Sequence, residues 1–300
     1  MSAPLVISVI LNTNRRDDTL NCLASITQSS YPNQRMIVLD NASSDGSVAA
    51  IRAAHPQVEI IRLTENLGYA GNNNIGIAAA MGAGADWVFV LNEDIVLDPA
   101  CLQRMIAVAS ADPQIGMLGP MVYHANEPTV IQSAGGRINR LWEAIHIGQN
   151  ETDHGQFSSP REVEWVSGCA ILVRRELIAQ VGSIDVRFFY YWEETEWCVR
   201  ARRHGWKIVH VPKAKIWHKG VQRNYQPKPS VSYYNTRNRL LLMAKHGAPL
   251  VSRAYAWSQM IRTLVSFTLR PKWRAQRGHR DAIWHGMRDY LRGRWGKGAY

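Results

Sequence analysis

The sequence predicts an α/β fold: a doubly wound parallel sheet covered by helices on both faces, followed by a helical, basic C-terminal extension. Over the first 120 residues, short β-rich runs alternate with amphipathic helical stretches, which is the pattern of such a sheet. Hydrophobic residues make up 46% of the 300 residues, enough to bury a large core. Charge distinguishes the extension from the rest of the chain. Residues 1–200 contain 13 Arg and 22 acids, which gives a net charge of −9. Residues 201–300 contain 22 Lys and Arg and 2 acids, which gives a net charge of +20.

The strands and helices of the first half follow in order along the chain. We predict strands over residues 5–11, 36–39, 58–63, 87–91 and 116–121. Four helices are predicted between these strands. Asp17 or Asp18 can cap the first, Ser44 and Asp45 precede the second, and residues 72–83 and 99–109 form the third and fourth. Ligands of doubly wound sheets bind beyond the carboxyl ends of the strands, so functional side chains are expected directly after each strand.

The later sequence completes the sheet and then becomes helical. Residues 163–174 are predicted as a strand, residues 193–204 as a helix, and residues 206–211 and 214–217 as two short strands around Pro212. Three further helices are predicted over residues 230–246, 250–269 and 279–293.

Cysteine use and hydropathy predict a cytosolic protein. The four cysteines are far apart in apolar segments, so we expect buried thiols rather than a disulfide or zinc framework. The apolar run at residues 5–11 lacks the flanks of a secretory signal, and the run at residues 254–269 is too short and polar for a membrane span. The basic extension predicts an anionic partner, either nucleic acid or acidic lipid.

Polar side chains follow four consecutive predicted strands. They are Asn12 and Thr13, Asp40, Asn66, and Asn92-Glu93-Asp94. Taken singly, each has a structural alternative, because Asn and Asp commonly form turns and helix caps, and for Asp40 the two interpretations weigh equally. Their recurrence at one edge of the sheet favours a binding site.

The segment from Asn66 to Gly76 opens a helix with glycines and three amides, including Gly71 and Asn73. Glycine lets a ligand approach the backbone, and the first turn of a helix favours phosphate. The segment matches neither the dinucleotide fingerprint nor the P-loop, and packing of small residues on the sheet is the alternative for Gly71 and Gly76.

Two groups of acids point to chemistry. Asp94 follows an apolar strand, where a carboxylate together with diphosphate oxygens and water suits Mg²⁺ or Mn²⁺. Glu193 and Glu194 follow three aromatic residues at a helix start, where burial can raise a carboxylate pKa toward that of a general base, although acids at this position also complement the helix dipole. His218 ends the last strand, where it could be a further metal ligand or contact a phosphate.

These segments together resemble the family 2 glycosyltransferases, inverting enzymes with the A-type glycosyltransferase fold. The resemblance extends from about residue 5 to residue 246 and rests on SVILNTN through DNASSDGS, ENLGYAGNNNIGI, FVLNEDIVL, WVSG through WHKG, and YYNTRNRLLLMAKHG. It implies a catalytic domain over residues 1–220, with a nucleotide-sugar half to about residue 120 and an acceptor half after it. Residues 221–300 would form the helical extension.

The resemblance also implies roles for individual residues. The nucleotide sugar would contact Asn12, Thr13, Asp40, Asn66, Gly71, Asn73, Asn92, Glu93, Trp165 and Gly168. Asp94 would bind the divalent cation with help from His218, and Glu194 would be the catalytic base, with Glu193 as the alternative. Asn92 replaces the first Asp of the family's D-x-D motif, and Thr13 stands where many members have an aromatic residue.

The N-x-D form, WVSG and WHKG look most like the bacterial rhamnosyltransferase branch, which implies dTDP-L-rhamnose as the donor and a glycan or lipid-linked glycan as the acceptor. A UDP-sugar such as galactofuranose is the alternative donor. A nucleotidyltransferase or a nucleic-acid-binding protein with a basic arm are rival interpretations, the latter leaving the acids unexplained.

The basic residues of segment 270–294 alternate with aromatic and aliphatic ones, and Ile283, Met287 and Leu291 fall at helical spacing. This pattern favours peripheral association with the inner face of the cell membrane, where a lipid-linked acceptor would reside. A helix packed on the catalytic domain is the alternative.

Overall fold

The computed structural model describes residues 3–220, 222–223 and 225–300. Over these ranges the main sheet has ten strands, in the order β10-β12-β6-β11-β4-β1-β2-β3, with β5 paired to β12 and β7 to β6. Hydrophobic clusters lie on both faces of the sheet, each containing residues of the covering helices. The predicted α/β class is confirmed.

The parallel half of the sheet follows the predicted order of elements. It consists of β1 (Val6–Asn12), α1 (Arg16–Thr27), β2 (Gln34–Asp40), α2 (Ser47–Ala54), β3 (Glu59–Arg62), α3 (Gly68–Gly82) and β4 (Trp87–Asn92). Side chains alternate along β1, so that Val6 and Ile10 join the cluster containing α1 while Ile7 and Val9 join the cluster containing α3. Burial on both faces explains why these strands are almost continuously apolar.

The second half is mixed. It contains β5 (Ile95–Leu97), α4 (Cys101–Ser110), β6 (Ile115–His124), β7 (Glu127–Ser133), β8 (Gly136–Ile138), β9 (Ala144–His146), β10 (Arg161–Glu162), β11 (Ala170–Arg174), α5 (Arg175–Val181), α6 (Glu193–Arg203) and β12 (Lys207–His218). β11 lies between β4 and β6 and is antiparallel to both, whereas the sequence predicted a parallel sheet. β8 and β9 form a separate hairpin.

Two predicted strands of this half differ from the structure. The strand predicted over residues 163–174 is shortened to β11, because residues 163–169 do not continue its ladder; within them Trp165 forms an isolated bridge with Gly136. The two strands predicted around Pro212 are one strand, β12, whose register on β6 shifts between Val211 and Lys215. Proline has no N–H for the ladder, and the irregularity accommodates it.

The extension is helical, as predicted. It contains α7 (Pro229–Lys245), α8 (Leu250–Leu269), a 3₁₀ helix (Pro271–Gln276) and α9 (Arg277–Leu291). α9 lies close against α7: a Cβ added to Gly286 would come within 2.7 Å of the Tyr233 carbonyl oxygen. The two helices therefore need glycine at this crossing.

The apolar stripe predicted for membrane contact on α9 faces the protein for two of its three residues. Ile283 and Met287 pack in a cluster with Leu240 of α7 and Met260 of α8, whereas Leu291 is 70% exposed. The packed-helix alternative therefore describes most of this stripe.

All four cysteines are buried and free, as expected. Among the helices of the described residues, none is both long and apolar enough to cross a lipid bilayer.

Candidate active site

The strand ends meet at one edge of the sheet. The register pairs Asn12 with Asp40, Asp40 with Arg62, and Leu11 with Asn92, so β1, β2, β3 and β4 all end at the same level. The prediction that polar side chains converge there is confirmed by this register.

Asn12 and Asp40 form a network that is closed within the protein. Asn12 Nδ2 donates to Asp40 Oδ1 at 2.9 Å and to Ser43 Oγ at 3.1 Å, and its Oδ1 accepts from Thr19 Oγ1 at 2.9 Å. Asp40 is fully buried, and its second oxygen accepts from the Ser43 N–H at 3.3 Å. The turn-forming alternative for Asp40 is thus present in the structure, and the network makes this corner rigid.

Thr13 follows this network and is exposed. Its hydroxyl accepts from Asn41 Nδ2 at 3.2 Å. A threonine here offers a ligand a hydroxyl and a methyl group, and no ring on which a base could stack.

The start of α3 gathers the amides of the third strand end. Asn66 Oδ1 accepts from the Gly68 N–H at 2.8 Å, and Asn73 Nδ2 donates to the Tyr69 carbonyl at 2.9 Å. Asn73 is fully buried, and its Oδ1 has no hydrogen-bond partner. Because an unpartnered buried oxygen is costly, Asn73 is a candidate acceptor for a ligand or a bound water.

The glycines of α3 serve packing at several positions. A Cβ on Gly76 would clash with Val9 of β1, and one on Gly71 would lie 2.6 Å from the Leu67 Cβ, so both positions need glycine for internal contacts. Gly68 has a φ of +76°, and a Cβ there would come within 2.4 Å of the Phe189 carbonyl oxygen. Gly68 therefore admits a later loop against the start of α3, a role that the sequence did not predict.

Asp94 and His218 converge beyond the end of β4. His218 Nε2 lies 3.1 Å from Asp94 Oδ1, and His218 Nδ1 lies 2.9 Å from Gln132 Oε1. Gln132 thus orients the imidazole ring so that Nε2 faces Asp94. Asn92 Nδ2 lies 3.4 Å from the same Nε2, so Asn92 contacts the histidine.

This corner has the chemistry of a cation site. Asp94 Oδ1 is buried and makes no well-directed hydrogen bond, although it faces a histidine nitrogen. A Cβ at Gly220 would lie 2.8 Å from Asp94 Oδ2 and 2.9 Å from His218 Nε2, so glycine keeps the space beside both groups open. Across the described residues no group of three or more His, Cys, Asp or Glu converges in this way, so Asp94 and His218 would supply two ligands only.

Charge at this corner is unevenly distributed. Burial alone would raise the pKa of Asp94, but the contact with His218 outweighs it and holds that pKa below its ordinary value. Burial and the charge of Asp94 raise the pKa of neighbouring Glu93 to about 7. Asp94 is therefore the carboxylate of this pair that carries charge near neutral pH.

Glu193 and Glu194 begin α6, as predicted, and carry unpartnered oxygens. Oε2 of each is buried and has no hydrogen-bond partner within the part of the chain that the structure describes. Burial raises the pKa of Glu194, and burial together with the charge of Glu194 raises the pKa of Glu193 well above its ordinary value. Both carboxyl groups thus have pKa values raised in the direction that suits a general base, so both are candidates for that role.

Of the WVSG segment, Gly168 lies at the acids and Trp165 does not. A Cβ at Gly168 would lie 3.4 Å from Glu194 Cγ. The Trp165 ring is buried against Gly136, and its indole N–H donates to the Arg137 carbonyl at 3.2 Å. Trp165 thus packs under the β8–β9 hairpin, a position that its sequence context did not reveal.

The loop before the acids has an unusual backbone. Phe189, Tyr191 and Trp192 have φ of +63°, +66° and +74°, and Trp192 directly precedes Glu193. Left-handed conformations of non-glycine residues cost of order 1 kcal/mol or more each and persist where surrounding contacts enforce them. Trp192 Nε1 donates to Asn235 Oδ1 of α7 at 2.9 Å, which ties the loop to the extension. The sequence pattern of this part of α7 did not predict this contact.

Comparison with known proteins agrees with this arrangement. Residues 8–182 match the family described as Glycosyl transferase family 2. The N-acetylglucosaminyl-diphospho-decaprenol L-rhamnosyltransferase of Mycobacterium tuberculosis is 28% identical, with 75% of this chain and 79% of the relative covered. The dTDP-rhamnosyl transferase RfbF of Shigella flexneri is 24% identical, with 96% of this chain and 97% of the relative covered.

A solved structure shows the same fold. The mannosyltransferase PcManGT from Pyrobaculum calidifontis, in complex with GDP-Man and Mn²⁺, superposes with a TM-score of 0.60 at 16% identity, with 97% of this chain and 88% of that chain covered. Because the family match spans more than half of the sequence, the chain is a member of glycosyl transferase family 2, a glycosyltransferase with the A-type fold.

Proposed function

We propose that the protein is an inverting, metal-dependent glycosyltransferase that moves L-rhamnose from dTDP-L-rhamnose to a hydroxyl of a cell-surface glycan or lipid-linked glycan. The donor is supported by the names of the two relatives, both of which are rhamnosyltransferases. The observation that carries the reaction class is the pair of carboxyl groups on Glu193 and Glu194, each with one buried oxygen that has no hydrogen-bond partner among the described residues.

In this proposal the reaction is a single displacement at the anomeric carbon. Glu194 accepts the proton of the acceptor hydroxyl as its oxygen bonds to that carbon, and the bond from the carbon to the diphosphate oxygen breaks. The nucleoside diphosphate departs with the electron pair of that bond. Because one displacement occurs, the anomeric configuration inverts and no protein nucleophile is required.

Asp94 and His218 would hold the divalent cation, Mg²⁺ or Mn²⁺, and diphosphate oxygens and water would complete its ligands. When bound, the ion neutralises charge on the departing diphosphate. The unpartnered Asp94 oxygen and the space left by Gly220 support this assignment. Asn12, Asp40, Asn66 and Asn73 line the donor side.

The experiment is a donor screen with product analysis. Purified protein is incubated with Mn²⁺, an acceptor analogue, and dTDP-L-rhamnose, UDP-galactofuranose or another nucleotide sugar, and the product linkage is determined by NMR. We expect turnover with dTDP-L-rhamnose, release of dTDP, and inverted configuration. Turnover with UDP-galactofuranose alone would show that this nucleotide sugar is the donor. Release of pyrophosphate would instead identify a nucleotidyltransferase.

The extension supports a second part of the proposal, peripheral attachment to the inner face of the cell membrane. On α8, large apolar side chains are exposed along one side: Leu250, Val251, Tyr255, Ile261, Val265 and Leu269. Exposed Arg262, Arg270, Lys272 and Arg274 accompany them, and residues 197–280 contain no acid. Apolar residues together with unopposed positive charge fit an anionic bilayer surface, which would present a lipid-linked acceptor.

Vesicle sedimentation tests this attachment. We expect the double variant Ile261→Ser, Val265→Ser to bind vesicles containing phosphatidylglycerol about tenfold more weakly than the wild type, since two apolar side chains no longer enter the interface. The control Leu291→Ser removes an exposed apolar residue of α9. Equal binding of all three proteins would contradict the role of α8, and salt-sensitive binding to nucleic acid instead would favour the rival partner.

A further inference from the structure

The loop that precedes Glu193 and Glu194 is held by α7 and by the segment after α9, which have no role in the proposed reaction itself. Residues 187–192 are the last part of the loop between α5 and α6, and three of these residues have left-handed backbones without being glycine. On one side, the Phe189 carbonyl accepts from the Ala70 N–H of α3 at 3.3 Å. The other side of the loop faces α7.

Asn238 of α7 is fully buried and spans the loop with one amide group. Its Nδ2 lies 2.7 Å from the Phe188 carbonyl oxygen, 2.9 Å from that of Tyr190 and 2.8 Å from that of Tyr191. Its Oδ1 accepts from Arg237 Nε at 3.0 Å, which fixes the amide with its donors toward the loop.

Arg237 extends the same contact and is 1% exposed. Its Nη2 donates to the carbonyl oxygens of Arg187 at 3.3 Å and Phe188 at 3.2 Å, and its Nη1 donates to the Gly296 carbonyl at 2.8 Å. The Gly296 N–H in turn donates to the Arg187 carbonyl at 3.0 Å. The left-handed backbone keeps these carbonyl groups out of helix and sheet hydrogen bonding. Donors from α7 and from the segment after α9 bind them instead.

We propose that Arg237 and Asn238 are positioning residues for the Glu193–Glu194 pair, so that the C-terminal extension completes the active site. The inference rests on the proposed role of these acids. Side-chain donors on carbonyls 187, 188, 190 and 191 set the backbone from which α6 begins, and that backbone aims the two carboxyl groups. Without these donors the loop relaxes, water reaches the acids, and the base loses its position.

Besides backbone hydrogen bonds at Glu193, Glu194 and Thr195, the described residues offer the acids few other groups that could hold them. Those that face them electrostatically are Tyr69 of α3, Tyr190 of the loop, Cys169 beside β11 and Cys198 of α6. None of these carries a positive charge, so the position of the acids depends on the backbone that bears them.

Hydrogen exchange tests the positioning without any substrate. In Asn238→Ala, we expect the amides of residues 187–196 to exchange about tenfold faster than in the wild type, because local opening becomes easier. Arg237→Lys keeps the charge and loses the forked donors, and we expect an intermediate increase. The matched control is Leu240→Ala, which removes a buried side chain of α7 that packs toward α8 and α9.

Kinetics of the same variants separates positioning from stability. At a temperature where all variants are folded, we expect kcat of Asn238→Ala to fall about tenfold or more while the donor KM changes less than about threefold. The acidic limb of its kcat profile should move to lower pH, because hydration of the acids lowers a base pKa that burial had raised. In Leu240→Ala, the acidic limb of the kcat profile should stay at the pH of the wild type.

The outcomes are distinct. Loop exchange and pH profile in Asn238→Ala equal to those of Leu240→Ala would overturn the proposal, and so would wild-type exchange in both Asn238→Ala and Arg237→Lys. If the wild type transfers no sugar from any donor, the proposed function fails, and the exchange data still decide whether these residues order the loop.

Discussion

Two regions bring acids to the edge of this sheet, and they differ in how the acids are satisfied. At the donor side, Asp40 has a protein donor for each of its oxygens and is fixed by Asn12 and Ser43. At the start of α6, Glu193 and Glu194 each keep a buried oxygen without a partner. A region that orients a ligand benefits from a closed network, whereas a base must keep an oxygen available for the proton it accepts.

The regions also differ in what holds them. The Asn12–Asp40 corner is built from residues 12–43, whose positions follow from adjacent parallel strands. The backbone before Glu193 depends on Arg237, Asn238 and Gly296, which lie about 45 to 100 positions further along the chain. The region of the proposed base is therefore the one that depends on distant parts of the fold.

The largest effect should come from removing the base. Glu194→Gln fills the same space but cannot accept the proton, so we expect kcat to fall by about 10²- to 10⁴-fold with donor affinity kept. Initial rates and donor titration by calorimetry measure the two quantities. Glu193→Gln is the control and should lose less, because the proposal makes Glu194 the acceptor of the proton. The reverse ranking would make Glu193 the base.

A smaller effect is expected from the acid that joins α6 to α7. Glu196 contacts Arg200 at 3.1 Å, Lys245 at 2.8 Å and His246 at 3.1 Å, and although burial opposes it, these partners lower its pKa to about 2. That shift from 4.5 corresponds to about 3 kcal/mol of folding stability.

Because the folded pKa is depressed, this stability is present above the unfolded value near 4.5 and is lost as the pH falls toward 2. Glu196→Gln should therefore lower the free energy of unfolding by about 3 kcal/mol at pH 7 and by much less near pH 3. Urea unfolding at both values measures it. Glu164→Gln, which removes a half-exposed ion pair with Arg202, is the control and should change stability by less than about 1 kcal/mol.

The next largest effect is expected at the proposed cation site of Asp94 and His218. Asp94→Ala removes a proposed ligand from a strand end, so we expect Mn²⁺-dependent donor binding to weaken about 10- to 100-fold while the fold is kept. Calorimetric titration of donor with and without Mn²⁺ measures it. Asp98→Asn, at an acid paired with Arg104, is the control. Unchanged metal dependence in Asp94→Ala would contradict the site.

The smallest effect should come from the rim of the closed network. Arg62 is 63% exposed on its side chain and lies 3.7 Å from Asp40, which keeps its other donors when Arg62 is removed. Arg62→Ala should change unfolding free energy by less than about 1 kcal/mol and donor affinity by less than about threefold. A large loss of donor affinity would show that Arg62 itself contacts the ligand.

Sequence patterns predicted what depends on local order. Apolar runs bounded by polar residues located β1 to β4 and the level of Asn12, Asp40 and Asn92, because parallel neighbours end together. They also located Glu193 at the first turn of α6. These features require only the period of a strand or a helix and the position of its end.

Other features depend on tertiary contacts that no local pattern contains. The antiparallel direction of β11, the burial of Trp165 under a hairpin and the inward face of Ile283 and Met287 each result from packing between distant segments. The left-handed backbone at Phe189, Tyr191 and Trp192 is not favoured by these residue types, so it depends on donors from distant segments such as α7.

The bond between Arg237 and the Gly296 carbonyl has a consequence for the timing of synthesis. Chains fold as they are made, and the sheet can form once its strands have left the ribosome. The loop before Glu193 acquires its full set of donors only after residue 296 has also emerged. Under the proposed function, a nascent chain would thus complete the strand ends of the donor side before the backbone of its acids is fixed.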